Sequence, residues 1–360
     1  MSYKGVPIRG PYGGIVDSPS PNNPLSSFDD VVNFFCRKGR IHSRPKFNSF
    51  TAPPDGAVLR EVVTFSDILR NLHTLALTVN NAYYITSGPT YNLLTYPGGV
   101  TDLSGTALPY GKVRFTDRIY FSNGSVPVLY TDGEDSVKKA GDVPGSGRFM
   151  TTLASHLIIA NTTEPEPGAD TSKRFPRRVR WSASGLPDDW TGFSSGSNDL
   201  EEVPDEITGL ASLGRNGVIF RTNGLTGMYA TGIGALPFRF EHLSFADEGV
   251  GNLFPASLSV YGDMAIFVGG DDVYTLAGNA LGRLAGRSKK KIFADLALAS
   301  GDRVTGFMVS QLSPGFDFLS YWLGIPGPDV MWIYHFDEDN WVRATSSGGH
   351  LTSLGMATVS

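Results

Sequence analysis

Beyond residue 55 the chain alternates between short runs of β-branched and aromatic residues and tight polar turns. Such runs, bounded by Gly, Asn and Asp, read as strands joined by hairpin turns. The rhythm restarts six times. A first unit runs from Val58 through residues 74–79, turns at Asn80-Asn81 and returns over residues 83–86. A second joins residues 112–115, 118–121 and 126–130 through Thr116-Asp117 and Asn123-Gly124. Later units fall at 149–153, 157–160 and 178–181; at 207–213, 218–221 and 227–230; at 257–261, 264–268 and 273–276; and at 304–309, 318–323 and 330–335 with Trp341-Val342. Units of about 50 residues have the size of propeller blades, and a small sheet cannot bury both faces without neighbours. The pattern therefore predicts an all-β protein, a β-propeller of about six blades. A pair of β-sandwiches is the rival fold. Ala76, Ala154 and Ala211 suit the crowded centre of a ring. Residues 164–173 read as a surface loop, and residues 351–359 as a strand able to complete the first blade.

The opening differs. Pro7, Pro11, Pro19, Pro21 and Pro24 each fix φ and remove a backbone donor, so residues 1–27 form neither a helix nor a central strand. An extended arm is expected. Residues 31–44 read as a hairpin turning at Arg37-Lys38-Gly39-Arg40, with a short helix capped by Ser27 or Asp29 as the competing reading. Two parts follow: an arm and hairpin over 1–45, and a propeller over 46–360.

Composition agrees. The 43 glycines and 23 prolines among 360 residues mark a chain that reverses often. A formal net charge of -5 argues against a whole-chain electrostatic grip on nucleic acid. Cys36 is the only cysteine, so no intramolecular disulfide forms. The N-terminus carries no apolar signal core, and no run of about eighteen apolar residues is present to insert into a membrane.

Candidate chemistry is sparse. The histidines (His42, His73, His156, His242, His335, His350) are widely spaced and match no metal motif. Gly105 to Gly111 has the wrong spacing for a phosphate loop, and no GxSxG elbow occurs. Asp132-Gly-Glu-Asp135 and Asp271-Asp272 read as turns rather than cation loops. Asn123-Gly-Ser125 and Asn161-Thr-Thr163 fit ordinary turns. No cofactor is expected. Two basic clusters stand out: Lys173, Arg174, Arg177, Arg178 and Arg180, and then Arg283, Arg287, Lys289, Lys290 and Lys291. Either can meet an acidic protein face or phosphate, and the competing reading is a solvated loop. Strand alternation places Arg178 and Arg180 on one face.

Four segments, taken in order, resemble the tail nozzle or head–tail stabilisation proteins of short-tailed phages. They are Ile8-Arg-Gly-Pro-Tyr-Gly-Gly-Ile-Val-Asp-Ser-Pro19; Gly39-Arg-Ile-His-Ser-Arg-Pro45; Arg178-Val-Arg-Trp-Ser182 followed by Leu186-Pro-Asp-Asp-Trp190; and Gly249-Val-Gly251 before Gly262-Asp263 and Val273-Tyr274. The resemblance implies a non-enzymatic virion component made in the host cytoplasm. It implies a homo-oligomeric ring, typically of about six copies. Such a ring extends the DNA ejection channel below portal and adaptor and docks fibres or spikes. Its contacts would come from Arg9, Tyr12, Arg37, Lys38, Arg40 and Arg44, and from Lys173, Arg174, Arg177, Arg178, Arg287, Lys289, Lys290 and Lys291. The alternative is a glycan-binding or glycoside-active propeller. It would stack sugars on Trp181, Trp190, Trp332 and Trp341, residues that otherwise fit packing between blades. A cellular propeller scaffold is a third reading.

Overall fold

A computed structural model describes residues 34–37, 40–43, 52–86, 90–98, 100, 102–103, 110–166, 168, 171–202, 204–243, 249–299, 304–311 and 317–345, the first eight by their backbone. Strands β1 (Phe34–Arg37) and β2 (Arg40–Ser43) pair antiparallel with Phe34 opposite Ser43 and Arg37 opposite Arg40, so the hairpin forms where the sequence places it. The arm of residues 1–27, with Ser27 and Asp29, lies outside the described residues.

Six four-stranded antiparallel sheets follow, each built from consecutive strands. Blade 1 holds β3 (Leu59–Ser66), β4 (Leu72–Thr78), β5 (Ala82–Thr86) and β6 (Thr90–Leu93). Blade 2 holds β7 (Gly111–Phe115), β8 (Arg118–Ser122), β9 (Leu129–Thr131) and β10 (Lys138–Lys139). Blade 3 holds β11 (Ser146–Leu153), β12 (His156–Pro165), β13 (Ser172–Trp181) and β14 (Gly196–Asp199). Blade 4 holds β15 (Ile207–Leu213), β16 (Asn216–Arg221), β17 (Leu225–Ile233) and β18 (Leu236–His242). Blade 5 holds β19 (Ser259–Tyr261), β20 (Met264–Val268), β21 (Val273–Ala277) and β22 (Ala280–Arg283). Blade 6 holds β23 (Thr305–Gln311), β24 (Asp317–Ile325), β25 (Val330–His335) and β26 (Asn340–Thr345). The protein is a six-bladed β-propeller.

The sequence pattern follows from where each strand sits. A second strand is covered on both faces by neighbouring blades, so it reads as a continuous apolar run: Leu75, Ala76 and Leu77, or Ile158, Ile159 and Ala160, are fully buried. Each fourth strand lies at the rim. Lys138-Lys139 and Gly196-Ser-Asn-Asp199 are short and largely exposed, and they carry no apolar signal. Three-strand units are therefore visible in the sequence where four-strand blades exist. β26 is the exception, because Trp341, Val342 and Ala344 are buried. β1 runs beside it.

Between consecutive blades lie five apolar cores. Leu77 and Phe121 meet between blades 1 and 2, and Tyr120 and Ile159 between blades 2 and 3. Ile158 and Ile219 meet between blades 3 and 4, Phe220 and Phe267 between blades 4 and 5, and Ile266 and Trp332 between blades 5 and 6. The remaining face of blade 6 carries its own buried cluster of Val309, Trp322, Met331, Ile333 and Ala344.

Three expectations are corrected. Ala154 is not at the ring centre. It is exposed in the β11–β12 turn with φ +48, whereas Ala76 and Ala211 are buried. Residues 164–173 are not all loop, because β12 and β13 continue pairing out to Pro165 and Ser172. The second basic cluster is not a simple loop either. Lys289 opens the helix α1 (Lys289–Ala297), which drops Ile292 and Leu296, one helical turn apart, into the core between blades 5 and 6. Blade 1 has four strands of its own, and residues 351–359 lie outside the described residues.

Candidate functional site

Two features concentrate polar chemistry: the central channel and a seam of arginines along β13 of blade 3, with Arg180 on the face toward blade 2 and Arg174 on the face toward blade 4. The channel holds a cavity of about 550 Å³ lined by the first strand of every blade. First strands leave one edge of backbone N–H and C=O groups unpaired, so the wall is polar even where its side chains are not. Arg60, Lys112 and Arg148 stand near the starts of β3, β7 and β11, a basic arc at one mouth. Lys112 pairs with Glu61. Across the cavity the wall is smaller and more apolar, with Ala211, Ala256, Leu258, Gly306 and Phe307. Hydrogen bonds join adjacent inner strands: Thr151 to Ser212 at 3.0 Å, and Met308 N to Ser259 Oγ at 3.1 Å.

The seam grows from the long β12–β13 hairpin. Glu164 Oε2 accepts Arg178 Nη1 at 3.0 Å and Arg180 Nη1 at 2.7 Å, so the two arginines do share a face as alternation predicts. Thr162 Oγ1 donates to Glu164 Oε1 at 2.7 Å. Arg178 also forks onto Asp199, with Nε–Oδ1 and Nη2–Oδ2 both 2.6 Å, and its guanidinium lies 3.7 Å from the Phe175 ring centre. That hydrogen bonding holds the Asp199 carboxyl below the usual carboxylate range. Arg174 crosses between blades: Nε donates to Asn161 Oδ1 at 3.0 Å and Nη2 to Glu206 Oε2 at 2.5 Å. Asn161, held at φ +55 beside a bulge, passes the tie to blade 4 through Nδ2 to the Ile207 carbonyl at 2.9 Å.

The sequence did not single out Arg221, at the end of β16. It is 3 % exposed, and burial lowers its hold on its proton. The available signal was one cation closing the apolar run Val218-Ile-Phe220.

The other expected site residues scatter. Lys173 is exposed at the tip side of β13, and Arg177 is half-buried near the seam. Arg283 pairs with Asp271 at 3.1 Å, and Lys289 approaches Asp271 and Asp272 at 3.7 and 3.6 Å. Asp272 Oδ1 also accepts the Val273 and Ala285 N–H groups at 2.9 Å, as a turn residue does. Asp132 takes Lys138 at 2.7 Å. Arg287 and Lys290 are exposed on the approach to α1 and in its first turn, and Lys291 is half-buried. Arg37 and Arg40 face each other across the turn of the first hairpin. Arg9, Tyr12, Lys38 and Arg44 lie outside the described residues. Trp181, Trp190, Trp332 and Trp341 are all buried between blades.

No family model and no curated protein matches this chain. Solved propellers are similar in shape. A virginiamycin B lyase from Staphylococcus aureus is 8% identical with a TM-score of 0.49, over 80% of this chain and 84% of the other. BamB from Moraxella catarrhalis is 11% identical with a TM-score of 0.42, over 82% and 76%. A computationally designed protein, Ika8, is 8% identical with a TM-score of 0.46, over 84% and 91%. The six-bladed fold stands on the strand topology, and these similarities carry no argument about a substrate or partner.

Proposed function

We propose that this chain is a structural subunit of a short-tailed phage tail nozzle, a ring-forming virion protein that lines the path of DNA ejection and docks spikes or fibres. One observation carries the reading. All six blades are complete without the first fifty or so residues, and the hairpin β1–β2 forms a separate sheet laid beside the rim strand β26. A hairpin at the rim that completes no blade is suited to contact a neighbouring subunit.

Exposed apolar residues give the same reading a surface. Ile68 and Leu69 in the β3–β4 turn, Phe193 beyond β13, and Ile233 and Leu236 at the β17–β18 tip are all well exposed. Antiparallel topology places these turns on one face of the disc. Isolated exposed apolar residues are ordinary, but several on one face fit a protein partner. The ordered resemblance in the arm, the hairpin, the blade 3 segment and residues 249–251 names the class of assembly.

Light scattering and negative-stain microscopy of the full chain and of a chain lacking residues 1–27 test this. The full chain should form a ring. The shortened chain should keep the same circular dichroism and remain monomeric. A full chain that stays monomeric at high concentration, or ring formation unchanged by the deletion, would overturn the arm's role. A second reading is a propeller that takes a small ligand such as a glycan in the channel, favoured by the amphipathic 550 Å³ cavity with Tyr110, Phe149 and Phe307 in its wall. Glycan-array binding that is lost on Arg60→Ala would support it.

A further inference from the structure

Arg221 presents an unmet demand. Its Nε and Nη1 are sealed from solvent and have no hydrogen-bond partner, and the same is true of Thr208 Oγ1. The two residues are ladder neighbours: Ile207 pairs with Arg221, and the register shifts before Gly209, which makes Thr208 the bulged residue alongside. Ile207 faces blade 3 in the core, so Arg221 opposite it does too. From that side Arg177 comes close enough for its charge to oppose that of Arg221. The carboxylates of the seam are taken by Arg174, Arg178 and Arg180. Asp205 and Glu202 act on Arg221 through space more strongly than Arg177 does, but neither is hydrogen-bonded to the sealed Nε or Nη1, so those donors remain open.

Buried donors in native proteins are satisfied by protein, water or an ion, and a guanidinium is the costliest to leave open. Here the open donors come from two strands of one blade and face a second cation from the next. We propose that a small tetrahedral oxyanion of the phosphate or sulfate class seats between Arg221, Thr208 and Arg177, joining blades 3 and 4. Donors arriving from β13, β15 and β16 match an ion with acceptors in several directions better than a planar carboxylate does. Burial of the Arg221 nitrogens favours a free ion over the backbone of a polymer. The site is independent of the nozzle reading.

Thermal unfolding of the full chain, in chloride, acetate, sulfate and phosphate at matched ionic strength, reads this out. Phosphate or sulfate should raise Tm saturably by several degrees, while chloride and acetate should not. Arg177→Gln alters a half-exposed residue that the fold tolerates, and it should weaken the apparent phosphate affinity about tenfold. Arg221→Met should abolish the response. A wild-type chain with no oxyanion-specific shift, an Arg177→Gln response equal to wild type, or an equal response to acetate would each overturn the proposal. The first outcome would mean that water alone completes Arg221.

Discussion

Gly251 lies directly against the carbonyl oxygen of Arg221. A Cβ at position 251 would stand 2.3 Å from that oxygen and 2.4 Å from the oxygen of Thr222. Both obstacles are backbone, so neither can rotate away. The contact lets Asn252 N donate to the Arg221 carbonyl at 2.8 Å while Asn252 Nδ2 reaches Thr208 O at 3.2 Å, clamping blade 4 to the entry of blade 5. Gly251→Ala should therefore cost about 3 kcal/mol of stability. The measurement is the urea midpoint, and a variant as stable as wild type would show that the clamp is slack.

Glu164 is the shared anion of the blade 3 face, with only 8% of its side chain exposed. Glu164→Gln keeps the shape and removes the charge, leaving Arg180 without its carboxylate while Arg178 retains Asp199. A loss of about 2 kcal/mol is expected, because an interior cation loses its compensation. Adding Arg180→Met to the same chain should recover part of it. A double variant weaker than the sum of the two singles would contradict the pairing.

Acid should unfold the propeller through particular carboxylates. The hydrogen bond from His73 pulls Asp67 down to about 2. Bonds from Arg178 and Tyr274 hold Asp199 and Asp271 below their usual range. In the unfolded chain these groups titrate near about 3.9. Their stabilisation is thus complete above that value and is lost as pH falls through the lower folded values. Urea midpoints should be level from pH 7 to 5 and fall steeply below about 4. A flat profile down to pH 2.5 would show that these contacts add nothing.

How far the sequence could be read depended on burial. Strands covered on both faces, such as Met264–Val268 and residues 330–334 of β25, are continuous apolar or aromatic runs and stand out at once. Rim strands such as Thr90–Leu93 face water and look like loop, which hid a quarter of each blade except the sixth, whose rim strand β26 is buried. Helix α1 was masked by Lys289-Lys290-Lys291, although Ile292 and Leu296 already had helical spacing. Asp295 on that helix accepts Trp332 Nε1 at 2.9 Å and Arg343 Nε at 3.0 Å, a joint between segments far apart in the chain that no local pattern reports. The arginine seam was half legible. Alternation puts Arg178 and Arg180 on one side, but their carboxylate partner Glu164 opens a polar, Pro-rich stretch whose composition reads as loop. Arg221 looked like the last residue of a strand, because its isolation arises only once blade 3 closes over it.

Every strand of the propeller pairs with its immediate predecessor or successor in the chain. Sheet formation then involves only short loop closures, so blades can form one after another as the polypeptide leaves the ribosome. A single event has to wait for the sixth blade: its meeting with the first. Closure of the disc is therefore timed by the arrival of residues 305–345, and a ribosome stalled before them would display an open, curved stack of finished sheets.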